Sequence, residues 1–211
     1  MSYATLYRNL PPVVLASASP RRAQLLHEMG IAFEVFVPRI DERSIKAPSN
    51  VLARVLAEEK CLSAQNTHPS AANKLFVAAD TIVLLDGKRL DKPKDANQAK
   101  DFLRQLAGRR HEVYTGVALR INKAVSAFQT LTTVSFAKLT EREIDYYVTT
   151  AAPLDKAGAY GIQEWIGLIG IERIEGSYSN VMGLPTADLH RALLNFGCDC
   201  NTQMLRNSMP E

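Results

Sequence analysis

The sequence predicts an α/β protein with antiparallel pieces, on three observations. Short apolar runs such as Val13-Val14-Leu15-Ala16 and Leu75-Phe76-Val77-Ala78-Ala79 read as buried strands. Segments with apolar residues at helical spacing lie between such runs, and two β-branched stretches flank Asn122-Lys123 closely enough to pair as a hairpin. A chain of 211 residues, 46% hydrophobic and 22% charged, can bury a sizeable core in one domain or two intimately packed lobes. With a formal net charge of +3 and no Lys/Arg run longer than two residues, no nucleic-acid or membrane partner is expected, whereas a small anionic ligand is compatible.

The first strand runs into Ser17-Ala18-Ser19-Pro20-Arg21-Arg22, a tight turn and helix start. Ser19 suits the N-cap and Pro20 the first helical position, which would leave free backbone N–H groups beside two arginines. That is either an anion site or an ordinary capped helix with two solvated arginines, and the segment alone does not choose. Leu25, Leu26 and Met29 share one helical face, and Gly30 suits a left-handed end. Residues 33–37 are expected as a second strand, leading to a polar loop whose acids, Asp41 and Glu42, can reach a cleft.

A helix is expected from Ser49, with Val51, Leu52, Val55, Leu56 and Leu62 near helical spacing, and with Glu58, Glu59 and Lys60 on a more polar face. After a polar break at 65–73, residues 75–79 read as a strand ending at Asp80-Thr81, ahead of a further apolar run, 82–85. Asp86-Gly87 is a hairpin turn signal, and Asp95 can cap a helix carrying Ala99, Phe102, Leu103 and Leu106 to a stop near Gly108. Arg109-Arg110-His111 reads as a basic connection to the hairpin strands 113–121 and 128–136. Thr140-Glu141-Arg142-Glu143 matches the capping box of a short helix through Val148. Residues 153–163 read as a functional loop, 165–174 as a late strand and 176–183 as a turn-rich piece; 185–196 is expected to form a final helix ended by Gly197.

Asp80 is the sharpest single residue, because an ionised carboxylate within apolar sequence is costly unless it is paired, hydrogen-bonded or bound to a metal. A structural aspartate that closes a turn is the plainer alternative. Lys60, Lys92 and Lys156 each lie beside a polar break, and with Asp41-Glu42 they supply the mixture found where Mg²⁺ and phosphates share a cleft. Any one of these lysines alone is as easily a solvated side chain. The P-loop and dinucleotide glycine patterns are absent, as are the His-x-x-x-His pair and the Gly-x-Ser-x-Gly elbow. Three cysteines, Cys61, Cys198 and Cys200, make neither a disulfide framework nor a metal spacing, so a reducing, cytoplasmic setting is expected. The first ten residues lack an export signal, and no run is long enough to span a membrane.

These motifs in combination are similar to those of the Maf-type nucleoside triphosphate pyrophosphatases, also described as septum formation inhibitor homologues. The matching stretches are Ser17 to Arg22, Asp41-Glu42, Ala79-Asp80-Thr81, Lys92-Pro93, Tyr114-Thr115-Gly116, Asp155-Lys156-Ala157-Gly158-Ala159-Tyr160-Gly161-Ile162-Gln163, and Gly176-Ser177-Tyr178-Ser179-Asn180-Val181-Met182-Gly183-Leu184-Pro185. Asp91 and Ala152 stand where that family commonly has glycine. The resemblance implies an elongated, two-lobed α/β fold with a central mixed β-sheet flanked by helices, similar to inosine triphosphate pyrophosphatase. It covers a domain at 13–197, between an extension at 1–12 and a tail at 198–211.

The implied activity is hydrolysis of a nucleoside triphosphate to the monophosphate and pyrophosphate with a divalent cation, Mg²⁺ or Mn²⁺, limiting incorporation of non-standard nucleotides. Asp80 resembles the catalytic residue. Arg21, Thr81 and Gln163 resemble the positions that separate subgroups and match the dTTP/UTP subgroup; modified pyrimidine nucleotides are further candidate substrates. On this reading Ser19, Arg21, Arg22, Lys60 and Lys92 hold the triphosphate, Glu42 and Asp80 bind metal, and Thr81 and Gln163 read the pyrimidine. A glutamine amide suits an imide because it both donates and accepts. A homodimer is left open, and the alternative function is a nucleotide-binding regulator of septum formation with incidental hydrolysis.

Overall fold

The computed structural model describes residues 6–207, with side-chain surroundings given as far as Phe196. The expected extension and tail therefore lie partly outside the described residues, as do the side chains of Cys198 and Cys200. The described chain forms strands β1 (Val13–Leu15), β2 (Phe33–Val35), β3 (Leu75–Leu85), β4 (Lys88–Arg89), β5 (Arg110–Ile121), β6 (Ala124–Phe136) and β7 (Ile171–Glu175). Its helices are α1 (Pro20–Glu28), α2 (Ser49–Thr67), α3 (Ala96–Leu106), α4 (Glu141–Ala151), α5 (Trp165–Gly170), α6 (Tyr178–Met182) and α7 (Thr186–Asn207). None of these helices is long and apolar enough to cross a membrane.

The strands form one mixed seven-stranded sheet in the order β2-β1-β3-β5-β6-β7, with β4 paired to β3 off that path. β1 runs parallel to both β2 and β3, whereas β3-β5-β6-β7 is an antiparallel meander. This is the expected mixed α/β architecture. Side chains on β3 alternate between two cores, as a pleated strand requires. Phe76, Ala78, Ile82 and Leu84 face apolar residues of α2, while Val77, Ala79, Val83 and Leu85 join a core to which α1, α3, α4, α5 and α7 contribute. Gly116 on β5, opposite Asp80, lets α2 lie close on the sheet: a Cβ there would stand 2.3 Å from the Ala53 backbone.

Local signals formed much of what they predict. Asp86 and Gly87 both have positive φ, 48° and 75°, as a two-residue turn between twisted strands requires. Asp95 accepts the Gln98 N–H, and the Thr140/Glu143 capping box is complete. Ala152, where the resembled family has glycine, ends α4 in the left-handed region at φ 43°.

Several expectations are corrected. Ser19 occupies the N-cap position of α1 but its hydroxyl makes no capping bond; the Ser17 hydroxyl instead accepts the Ser19 N–H at 3.1 Å. Asp80 does not end a strand; it is the sixth residue of the continuous eleven-residue β3, because pairing with β5 carries the strand through Asp80-Thr81. Arg110 and His111 are not a connection but the start of β5, with His111 buried against the Tyr160 hydroxyl at 2.7 Å. Of the expected late strand, residues 165–170 form α5 and only 171–175 pair with β6, since sheet pairing rather than apolar composition decides where a strand begins. The turn-rich piece contains α6, capped by Ser177 accepting the Asn180 N–H. α4 runs to Ala151, beyond Val148, and α7 continues through Gly197, since an interior glycine costs only about 1 kcal/mol and stops a helix only where the chain turns left-handed.

Candidate active site

The cleft exists because β1 is short. The last contact from that side is Ala16 N–H to Val77 O at 2.8 Å, and pairing on the same side of β3 resumes with Leu90 N–H to Val83 O at 2.9 Å. Between them the sheet has a gap, and Asp80-Thr81 lies in it. Strand alternation turns Asp80 toward α2 and Thr81 toward the opposite face. Two hollows, one on each face, meet at Asp80, Thr81, Lys92 and Ala157.

On the α2 side, Asp80 is only 9% exposed and is compensated by a cation. Lys60 Nζ donates to Asp80 Oδ1 at 2.5 Å and lies 2.8 Å from Glu42 Oε1. Lys60 therefore does not belong to a merely wet helix face: it joins the two acidic centres and has a carboxylate on each side. Burial alone would raise the Glu42 carboxyl, but hydrogen bonding to Lys60, with Lys92 and Arg22 nearby, holds it below the usual carboxylate range. Among the described residues no three His, Cys, Asp or Glu side chains cluster into a protein-only metal cage. The Glu42/Asp80 pair nevertheless fits the mode in which Mg²⁺ takes one or two carboxylates and completes its shell with water and phosphate oxygens.

On the opposite face, Thr81 Oγ1 lies 2.9 Å from Thr115 Oγ1 and accepts from Arg22 Nη2 at 3.1 Å. Arg22 also donates from Nε to Gly183 O at 2.8 Å and from Nη1 to Ser17 Oγ at 3.2 Å. These neutral partners use three of its five N–H donors. Burial lowers the guanidinium from its ordinary value, with the charge of Asp80 opposing that shift. Neither Arg22 nor Lys92 forms a carboxylate ion pair among the described residues, so both retain positive charge for an anion at the gap. Arg21 differs, being paired with Asp155 at 2.9 Å. Ser19, Arg21 and Gln163 line this hollow with Asp80, Thr81 and Lys92. The Gln163 side-chain oxygen is buried without a hydrogen-bond partner.

The sequence-predicted residues thus surround one gap, Glu42 and Lys60 on the α2 side, Ser19, Arg21 and Arg22 from the start of α1, Asp80 and Thr81 from β3, Lys92 from the connection after β4, and Gln163 from the late loop. Lys156, expected with Lys60 and Lys92 as a cation of the cleft, is instead taken up by carboxylates: its side chain is 9% exposed and lies between Asp155 Oδ1 at 2.7 Å and Glu164 Oε1 at 3.0 Å. Nothing in the sequence pointed to Glu164 and Tyr147 behind it, where Glu164 also accepts from the Tyr147 hydroxyl. The Asp155-to-Gln163 motif flagged two members of this group; no local spacing links Tyr147 to it.

The architecture and cleft define a mixed α/β protein whose candidate site opens through a break in its own sheet and combines a carboxylate pair with cations that have no carboxylate partner among the described residues. The family model described as Maf-like protein matches residues 12–196. The chain belongs to that family. It is 46% identical over 186 residues, 86% of this chain and 94% of the relative, to a dTTP/UTP pyrophosphatase of Phocaeicola vulgatus. It is 44% identical over 185 residues, covering 87% and 94% of the two chains, to a dTTP/UTP pyrophosphatase of Bacillus cytotoxicus. A Cytophaga hutchinsonii protein of the same name is 38% identical over 201 residues, 94% of this chain and 91% of that one.

Proposed function

We propose that this protein is a nucleoside triphosphate pyrophosphatase that converts dTTP and UTP to the monophosphate and pyrophosphate. The observation that carries the reading is the meeting, at one gap, of the Asp80/Glu42 pair with Arg22 and Lys92, cations lacking carboxylate partners among the described residues. Cations there receive phosphates, while the carboxylates neither bind an anion unaided nor lie idle beside one. The names of the relatives support the same substrates.

In this mechanism Arg22 and Lys92 grip the phosphate oxygens, aided by Arg21 and by the Ser19 hydroxyl, which makes no capping bond to α1. Asp80 orients the attacking water and takes its proton; the water oxygen bonds to the α-phosphorus as the bond to the bridging oxygen breaks. Charge accumulating on departing pyrophosphate is stabilised by the same cations. Lys60 holds Asp80 and Glu42 in register. A divalent Mg²⁺ or Mn²⁺ held by Glu42 and Asp80 would neutralise phosphate charge and lower the pKa of bound water, which an aspartate, a weak base at neutral pH, needs. Gln163, which lines the same hollow as Thr81, carries the amide that can accept the imide N–H of uracil or thymine.

Incubating the purified protein with UTP or dTTP and Mg²⁺ is expected to give equimolar UMP or dTMP and pyrophosphate, and chelation of the metal is expected to stop it. Release of orthophosphate with a diphosphate would overturn the bond assignment. Tight nucleotide binding without turnover would make the protein a nucleotide-binding regulator instead.

A further inference from the structure

A chain of polar groups runs from the cleft wall into the core beneath α4. Arg21 Nη1 donates to Asp155 Oδ2 at 2.9 Å, and Lys156 Nζ bridges Asp155 Oδ1 at 2.7 Å and Glu164 Oε1 at 3.0 Å. The Tyr147 hydroxyl donates to the other Glu164 oxygen and accepts the Gly161 N–H at 3.1 Å. Cations and anions alternate along the chain, so it carries no net charge into the interior. Tyr147 is 1% exposed, and burial followed by its bond to Glu164 raises the phenol from its ordinary value, keeping it a neutral donor.

These contacts clamp both ends of the loop that carries Gln163. Asp155 and Lys156 fasten one end, Gly161 and Glu164 the other, and Glu164 N–H closes on Gly161 O at 3.0 Å. Between them Gly158 and Ala159 are left-handed at φ 70° and 60°. For alanine that conformation costs about 1 kcal/mol and persists only where the surroundings impose it.

Such rigidity has a chemical use. A glutamine amide can offer oxygen or NH₂ to a base; uracil needs an acceptor opposite its N3–H, whereas cytosine presents an acceptor at N3 and needs a donor. Selection between them requires that the amide be held with one end toward the base. We propose that Tyr147 and Glu164, which lie behind the cleft wall, are positioning residues that set pyrimidine selectivity by fixing the Gly161–Gln163 backbone. The proposal rests on the dTTP/UTP reading of the cleft.

Tyr147→Phe tests it by removing one oxygen while keeping the ring. Calorimetric titration with UMP and CMP reads selectivity without turnover, and thermal melting reads stability. The expected result is about tenfold weaker UMP binding with CMP nearly unchanged, the effect of one misplaced hydrogen bond. Gln163→Ala is expected to narrow the UMP/CMP ratio alike, and the double variant to lose no more. Glu164→Gln, which keeps the side chain's volume, serves as the second variant and is expected to shift the ratio in the same direction if Tyr147→Phe does not fold. Parallel weakening of both nucleotides, an unchanged ratio, or a parent protein without UMP preference would overturn the positioning role. A parent that prefers UMP yet leaves UTP intact would instead overturn the pyrophosphatase reading while the selectivity comparison still stands.

Discussion

Gly116→Ala is a backbone test of how the fold builds the site, since Gly116 lies opposite Asp80 and beneath α2. An added Cβ would stand 2.3 Å from the carbonyl carbon and oxygen of Ala53 and the nitrogen of Arg54, all backbone atoms that no rotamer change can clear, while ordinary contact begins at 3.4 Å. The difference, 3.4 − 2.3, demands a displacement of about 1.1 Å between α2 and β5. Lys60 rides on α2 two turns beyond Ala53, so a rigid shift of that size stretches its 2.5 Å contact with Asp80 toward about 3.6 Å, past hydrogen-bond range. Overpacking of this kind costs about 3 kcal/mol, which for a chain of this length lowers Tm by roughly 10 °C. Misplacement of a reacting group by about 1 Å lowers turnover about 100-fold. Calorimetric melting and pyrophosphate release from UTP, measured below the melting range, read the two effects separately. A Gly116→Ala protein with the parent Tm and turnover would refute the claim that close approach of α2 sets the Lys60–Asp80 geometry.

Asp80→Asn keeps size and removes charge, so UTP and dTTP turnover are expected to fall by about 100-fold or more with the fold retained by circular dichroism; near-parental pyrophosphate release would remove Asp80 from the chemistry. Gln163→Ala should erode discrimination more than folding, and unchanged relative rates for UTP, dTTP, CTP and GTP would show that this side chain does not read the base. Burial pushes the His111 imidazole from 6.5 down to about 4. Between those values the unfolded chain takes up a proton that the folded one excludes, so stability falls as pH drops from 6.5 toward 4, by up to roughly 3 kcal/mol. Urea midpoints at pH 7 and pH 4.5 should therefore diverge less for His111→Gln than for the parent protein, and equal divergence would count against the buried neutral imidazole.

Much of the fold was legible because its signals are local. The Asp86-Gly87 turn, the Asp95 cap and the Thr140/Glu143 box depend on dihedral angles and hydrogen bonds within four residues, which composition at fixed offsets encodes. The candidate site was legible for a different reason: all of its members but Lys60 lie in motifs that resemble the family, so their assembly was implied without any distance being known. Boundaries failed where sheet pairing decides. Residues 165–170 have strand-like composition, but β6 offers pairing only to 171–175, and Asp80 interrupts an apolar run without interrupting the strand.

By itself, then, the sequence determined the mixed α/β class, the turn and cap positions, and which polar residues stand out against an apolar background. Only the tertiary structure decided that Lys60 is shared between Asp80 and Glu42, that Arg22 is held by Gly183, 161 residues away, and that Tyr147 reaches Glu164 behind the cleft. It also decided why Gly116 must be small. Those facts depend on the order of strands in the sheet and the premature end of β1, which bring distant side chains to one gap. Interactions across such separations leave no periodicity in the chain, because the space between their partners is set by packing and not by the number of residues connecting them.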